Sequence, residues 1–579
     1  MNLQENNSPL FGALHKPTKR SKVLSILKTM RPTEKIVFGI FAIVAVISFV
    51  ILLYRVNKSF LVEIPALGGK FTEGLIGNPR FINPILAISD TDKDLSYLLY
   101  SGLVRQKTDG SFVNDLAESY NISEDGLQYY FKIKENVFFH DGRPIESDDV
   151  IFTIEKALDP VVKSPKRISW EGVSVEKINQ KELRFILKKP YAPFIKALTL
   201  GILPKHIWQN ASSEELPFSE WNIAPIGSGP YKIKKVDRNS AGLPSSILLE
   251  SWNKYPNNKP FIKYITFKFF SNQNDLFKSF EAGEIDSIAH LDEETATYIE
   301  KKSEILSSSL PRVFAVFFNQ NSAPIFLNKE VRKALDLSAP KEIIVGEVLG
   351  GFGKVSTGPT VSDTIKEREN RDNFVEEAKK ILSESGWKMD EESGVLKKKI
   401  KSETLNLAFS ISTSDAPELK ETAEILKSAW ESIGAKVEIK IYNQSDLNQD
   451  IIRSRKYDML LFGEVVDKDG DLYPFWHSSE RNDPGLNISL YANVKTDKLL
   501  EELRNETDLA KRNEIRNKLS LEIQNDLPAV FLFVPDMLYK PASKIKNISL
   551  GDTSSQSDRF ASIYEWFIET DRVWRIFAN

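Results

Sequence analysis

The residue types that most often carry chemistry are sparse in this 579-residue chain and do not assemble into a reacting set. The five histidines, His15, His140, His206, His290 and His477, are scattered without a ligand spacing such as HExxH, so metal-dependent hydrolysis has no pattern to rest on. His140 stands in an aromatic, turn-bound run, Phe138-Phe139-His140-Asp141-Gly142-Arg143-Pro144-Ile145. No G-x-S-x-G elbow accompanies it, and a structural role is expected. Gly350-Gly351-Phe352-Gly353-Lys354-Val355 fails as a phosphate loop, because Val348 occupies the first glycine position and Val355 follows the lysine where Ser or Thr is required. Asp467, Asp469 and Asp471 alternate like the opening of an EF-hand loop, yet Leu472 takes the glycine position and Ser478 that of the bidentate glutamate. With no cysteine there is no disulfide, no thiolate metal site, no cysteine nucleophile and no cysteine-linked lipid. No cofactor and no metal is expected, and with no nucleophile, base or metal constellation readable, an enzyme is not expected.

The acidic alternation draws its interest from the elements that place it. Leu405, Leu407, Phe409 and Ile411 alternate with polar or small residues as in a strand. A helix follows, capped by Asp415, with Pro417 in its first turn and Leu419, Ala423, Leu426, Trp430 and Ile433 on one apolar face before Gly434 ends it. Val437, Ile439 and Ile441 then alternate as a second strand, so a βαβ unit with parallel strands is expected. A further helix near Leu447 to Arg455 leads to the apolar strand Met459-Leu460-Leu461-Phe462. Asp467 follows just beyond Gly463, at the carboxyl end of that strand, where open α/β sheets make their ligand contacts and where a carboxylate could pair with a ligand ammonium. A solvated acidic turn is the competing reading for Asp469 and Asp471. Upstream, Tyr129, Phe131 and Ile133, and again Leu183, Phe185 and Leu187, mark strands, with helical faces at Asp148 to Leu158 and Asp275 to Ala282.

Length and composition set the frame around these pieces. A chain of 579 residues with 41% hydrophobic and 27% charged residues implies several packed α/β units. A net charge of −3 offers no basic footprint, so a nucleic-acid partner is excluded. The uncharged apolar run Ile36 to Tyr54 is about as long as the roughly 20 residues a bilayer core requires. Lys16, Lys19, Arg20, Lys22, Lys28, Arg31 and Lys35 precede it and only Arg55 and Lys58 follow closely, which places the N-terminus in the cytoplasm and the main body outside. The run exceeds the core of a cleaved signal peptide, about 7 to 15 residues, and an uncleaved anchor is expected. Residues 1–35 are then a disordered cytoplasmic tail, 36–54 the anchor and 55–67 a linker.

From about Gly68 to Lys546 the chain resembles the family 5 extracytoplasmic solute-binding proteins of ABC importers, the oligopeptide and dipeptide binders. The matching pieces run in order. They begin with Phe81-Ile82-Asn83-Pro84, Leu116-Ala117-Glu118-Ser119, Phe139-His140-Asp141-Gly142-Arg143-Pro144 and Ile202-Leu203-Pro204-Lys205-His206. Gly227-Ser228-Gly229-Pro230-Tyr231, Ala282-Gly283-Glu284-Ile285-Asp286, Glu330-Val331-Arg332-Lys333-Ala334-Leu335 and Asp471-Leu472-Tyr473-Pro474-Phe475-Trp476-His477-Ser478 complete the series. The glycine- and proline-rich pieces are turn chemistry that shapes the chain without reacting.

The resemblance implies an α/β fold of the two-lobed, type II periplasmic-binding-protein kind, with a hinge and an extra subdomain, after one transmembrane helix. Residues 68–311 would form lobe one with the subdomain, 312–534 lobe two, and 535–579 a segment returning to lobe one. Peptide-binding members pair the peptide's α-amino group with an aspartate after a Gly-Trp-x-x motif, and the similar stretch is Gly463-Glu464-Val465-Val466-Asp467. By that resemblance Asp467 is the leading ligand contact, with Gly463, Glu464 and Val465 beside it. Glu464 replaces the family's tryptophan, which removes an aromatic wall and leaves room for a more polar or cationic ligand. Glu73, near the family's first ligand-facing loop, and Asn319, at the end of the run Val313 to Phe318, are further ligand-binding candidates. The implied partners are an oligopeptide or dipeptide, an ABC permease with its ATPase, and the membrane through one helix, with the protein itself a monomer. Nickel, an oligosaccharide, a surface peptide-chaperone or adhesion role, and an anchored hydrolase stay open as alternatives.

Overall fold

The computed structural model describes residues 29–257, 259–289, 291–365, 373–400, 403–466, 471–506, 508–551 and 555–577. It divides into two compact units, Met1–Pro65 with Thr570–Asn579, and Ala66–Glu569.

The first unit is built on helix α1, Pro32–Phe60, which has a mean hydropathy of 3.2 over its most apolar window and is long and apolar enough to cross a membrane. Pro32 begins it, where a missing N–H costs nothing, and the Arg31 N–H donates to the Glu34 carboxylate at 2.9 Å. Residues 55–67, expected as a linker, instead finish this helix and then form strand β1, Leu61–Pro65. No glycine or proline interrupts the helix after Tyr54, so it runs on to Phe60.

The second unit holds a 13-stranded sheet. Its elements used below are β2 (Gly68–Ile76), helix α2 (Asp90–Leu99), β3 (Ile262–Phe270), β4 (Ser287–Ala289), β5 (Arg312–Phe318) and β6 (Ala408–Ser414). Helix α3 (Pro417–Ser432), β7 (Lys436–Tyr442), β8 (Met459–Val465) and β9 (Ala529–Lys540) follow. The strand order is β7-β6-β8-β5-β9-β4-β2-β3, continued by Pro244–Ser251 and Tyr231–Arg238. The last strand, β10 (Thr570–Trp574), belongs to the first unit and pairs antiparallel with β1, from Leu61↔Trp574 to Pro65↔Thr570. The segment 570–574 therefore does not follow residues 535–569, as expected, but joins β1. Its partner lies about five hundred residues away, which no local periodicity reveals.

The expected βαβ unit is present, with β6 and β7 parallel in continuous register from Ala408↔Lys436 to Ser414↔Tyr442. Three details differ. Leu405 belongs to a separate strand, Glu403–Asn406, which pairs with Leu396–Ile400, so the alternation breaks at Leu407. Ala416, not Asp415, occupies the N-cap, without a side-chain cap; Pro417 at the first turn removes one donor that a cap would satisfy. The expected helix near Leu447 to Arg455 is a short turn, Gln444–Asp446, continued by a π-helical stretch, Leu447–Ile452. Gly434 does end the region of α3 with φ +94°, a conformation that favours glycine. In a separate four-stranded sheet, Tyr129 faces Phe185 and Phe131 faces Leu183, and all four are buried.

The sequence pieces around His140 and Gly227 meet and lock the end of α2. The His140 N–H donates to the Gly227 carbonyl at 2.8 Å, the Gly227 N–H donates to Nδ1 at 3.2 Å, and Nε2 lies 3.1 Å from the Gly229 carbonyl. A backbone N–H can only donate, so Nδ1 accepts and Nε2 carries the proton. The Leu99 carbonyl, left without a helical partner at the end of α2, accepts from both Ser228 and Gly229 at 3.0 and 2.8 Å. A Cβ at Gly227 would lie 1.9 Å from that oxygen, which explains the glycine. Burial pushes the His140 imidazole down to about 4 from the ordinary 6.5 and keeps it neutral.

A neutral histidine in the folded state and a charged one in the unfolded state give stability that is complete above about 6.5 and declines as the pH falls toward 4. Urea denaturation of wild type and His140→Gln should differ by up to about 3 kcal/mol at pH 7.5, with the difference shrinking steadily toward pH 4. A constant difference across that range would contradict the clamp.

Candidate functional site

Strand β8 carries the site region. It pairs antiparallel with β5 along its whole length, with Gly463 opposite Phe314, Glu464 opposite Val313 and Val465 opposite Arg312. On its other side only Met459 and Leu460 pair with β6, through Ile411 and Ser412. The Thr413 hydroxyl donates to the Leu461 carbonyl at 3.0 Å, and beyond it the two strands part. Among the described residues, the backbone from Phe462 to Val465 is therefore laddered on the β5 side alone. A strand with one unpaired edge presents alternating N–H and C=O groups to any extended chain that reaches it.

Each side chain at this edge has its own reason. Gly463 has room for none, since a Cβ would meet the Phe314 ring at 2.7 Å, and that ring stacks on Phe533 with centroids 4.8 Å apart. Val465 is 54% exposed at the strand end. Glu464 is 5% exposed, shares its side of the strand with Phe462 and Val466, and among the described residues its carboxyl Oε1 has no hydrogen-bond partner. Burial pushes its carboxyl well above the usual range, so the acid is held toward its neutral form. Asp467, the leading ligand contact expected from the sequence, and Asp469 lie outside the described residues. Asp471 is already engaged: Arg504 Nε and Nη2 both donate to its Oδ2, at 2.8 and 2.5 Å, and the guanidinium lies 4.0 Å over the Tyr473 ring.

The other two expected contacts are elsewhere and occupied. Glu73 is not on a loop but within β2, fully buried. Its Oε1 accepts from Arg559 at 2.6 Å and its Oε2 from the Tyr539 hydroxyl at 2.8 Å. Three strands, β5, β9 and β4, separate β2 from β8 in the sheet order. Asn319 follows the end of β5 that pairs with Met459, the opposite end of β8 from Val465, so about 17 Å of strand separates it from the level of Gly463. Its side chain ties the local turn, donating to the Arg455 carbonyl and accepting from the N–H groups of Asn321 and Ser322. Gly463, Glu464 and Val465 are thus brought together, whereas Glu73 and Asn319 are not. The free edge itself escaped the sequence reading, because periodicity reports which residues form a strand and not where its neighbours stop.

A family profile for bacterial extracellular solute-binding proteins, family 5 (middle part), matches residues 111–483. The chain is 29% identical over 489 residues to the oligopeptide-binding protein AppA of Bacillus subtilis, covering 82% of this chain and 87% of that one. It is 22% identical to the nickel-binding protein NikA of Staphylococcus aureus, covering 80% of this chain and 88% of the relative. Among solved structures, it resembles Bacillus subtilis AppA in complex with a nonapeptide, with a TM-score of 0.64, 27% identity, and coverage of 87% of this chain and 100% of the other. It also resembles NikZ of Campylobacter jejuni in complex with Ni(L-His), with a TM-score of 0.65, 26% identity, and coverage of 86% and 99%.

The state of Glu464 makes a prediction of opposite sign to that for His140. A carboxyl whose pKa is raised by folding contributes most below its unfolded value of 4.5 and weakens the fold as the pH rises above it. Glu464→Gln should therefore stabilise the protein at pH 7.5 by on the order of 1–3 kcal/mol, and the gain should vanish toward pH 4 in thermal denaturation. Destabilisation at pH 7.5 would mean that the carboxylate has a partner in the folded protein.

Proposed function

Because the chain belongs to the family 5 bacterial extracellular solute-binding proteins and has their type II, two-lobed α/β fold, we propose that it captures peptides outside the cytoplasmic membrane and hands them to an ABC importer. The feature that carries this reading is the free edge of β8 from Phe462 to Val465. An extended peptide can satisfy its own backbone there as an added strand, a mode that gives affinity without demanding particular side chains. The names of the relatives support the ligand class, since AppA is an oligopeptide-binding protein and its solved structure holds a nonapeptide.

In this reading residues 68–311 with 535–569 form one lobe and 312–534 the other, and ligand favours the closed arrangement of the two. Asp467 takes the peptide's α-amino group, as its place after Gly463-Glu464-Val465-Val466 suggests. Helix α1 stays in the chain and holds the body to the membrane, with residues before it inside and those after it outside. The protein makes and breaks no covalent bond, and the energy of transport belongs to the permease's ATPase.

Two measurements test the reading. A mixed peptide pool incubated with the full chain in detergent or nanodiscs, freed of unbound material and analysed by mass spectrometry, should leave a retained set of peptides; folded protein that retains none contradicts the proposal. For a retained peptide, calorimetry should find Asp467→Ala weakening the free-amino form by roughly ten- to a hundredfold while the N-acetylated form is little changed. An equal loss for both forms removes Asp467 from this role.

A further inference from the structure

The strand pair of the first unit brings β10 back to the end of the apolar helix. Trp574 stands opposite Leu61, the first residue after α1, and its indole N–H donates to the Asn57 side-chain oxygen at 2.8 Å. Asn57 is three residues past Tyr54, where the uncharged run ends, which at 1.5 Å per residue is only about 5 Å along the helix axis. Beyond Trp574 the chain makes a single 3₁₀ turn, Arg575–Phe577. Trp574 is 49% exposed, Ile576 74% and Phe577 71%, so three of four successive residues are large, apolar and uncovered. Phe60, at the end of α1, is 56% exposed as well. Arg55, Lys58 and Arg575 add positive charge to the same short stretch of the unit.

A tryptophan with a polar handle, with exposed phenylalanines and basic residues beside it, set within a few ångströms of the end of an apolar span, has the composition of a membrane–water interface. Resting on the reading of α1 as a retained membrane span, we propose that Trp574, Ile576 and Phe577 insert into the headgroup and upper acyl region of the bilayer that α1 crosses, forming a second membrane contact. The occupant of this apolar surface is lipid, because the surface continues the lipid-facing helix at the depth where that helix leaves the hydrocarbon. The consequence is an anchor of two peptide connections, since the chain passes between the units at Pro65–Ala66 and again at Glu569–Thr570.

The chain has no cysteine, so one introduced thiol can be labelled alone. An environment-sensitive dye would be placed on Ile576→Cys, on Leu53→Cys near the outer end of the apolar run, and on Ser240→Cys in an exposed loop. The full chain would then be reconstituted into anionic nanodiscs whose lipids are brominated near the top of the acyl chains. The inference predicts quenching at position 576 within about twofold of that at position 53 and several-fold above that at position 240. In the same Ile576→Cys background, Trp574→Ser should lower the quenching by about half or more. Quenching at 576 no greater than at 240, with strong quenching at 53, would overturn the second contact and leave the anchor standing. Quenching at 53 no greater than at 240 would overturn the anchor and this inference with it.

Discussion

One strand constrains almost everything in the unit Ala66–Glu569. β9 supplies Tyr539 to one hydrophobic cluster, Val530, Leu532 and Phe533 to a second, Ala529, Phe531 and Val534 to a third, and Leu538 to a fourth. It pairs with β5 near its start and with β4 at its end, so the two halves of the sheet share a single backbone. The expected boundary at Val534 falls within this strand, because consecutive residues of one extended segment face different clusters. Tyr539 then ties β9 to a fully buried charge cluster in which Arg559 bonds both Glu73 and Asp94 at 2.6 Å. A buried ion pair that loses one partner costs roughly 3–5 kcal/mol, since the remaining charge stays out of water. Glu73 is held in that cluster and is not free to meet a ligand.

The same constraint shapes the free edge of β8. β9 fixes β5, β5 fixes β8 along its full length, and among the described residues the edge of β8 turned toward β6 has no strand ladder past Leu460. Gly463 lets Phe314 lie flat between β8 and Phe533, so the edge rests on a stacked aromatic pair. Glu464 is buried, and among the described residues its Oε1 has no hydrogen-bond partner. His140, the residue most suggestive of catalysis, spends both ring nitrogens on the Gly227 to Gly229 turn.

Much of this was legible in the sequence where the information is local. Alternation located the buried strands through Tyr129, Phe131, Leu183 and Phe185, and the Gly-Ser-Gly and His-Asp-Gly pieces marked turns that do shape the chain. What escaped depends on partners remote in sequence. Nothing near Glu73 announces Arg559, nothing near Leu61 announces Trp574, and nothing in Met459 to Val465 says that β6 stops short. Asn319 follows an apolar run, but strand direction puts it at the end of β8 away from Gly463 to Val465, and an antiparallel pairing cannot be inferred from one strand alone.

As proposed above, an extended peptide completes the ladder of β8. Hydrogen exchange of the full chain with and without a peptide shown to bind it tests this most directly. Backbone amides within Phe462 to Val465 should exchange at least about tenfold more slowly in the complex. A tightly bound peptide that leaves exchange in this segment unchanged would contradict it.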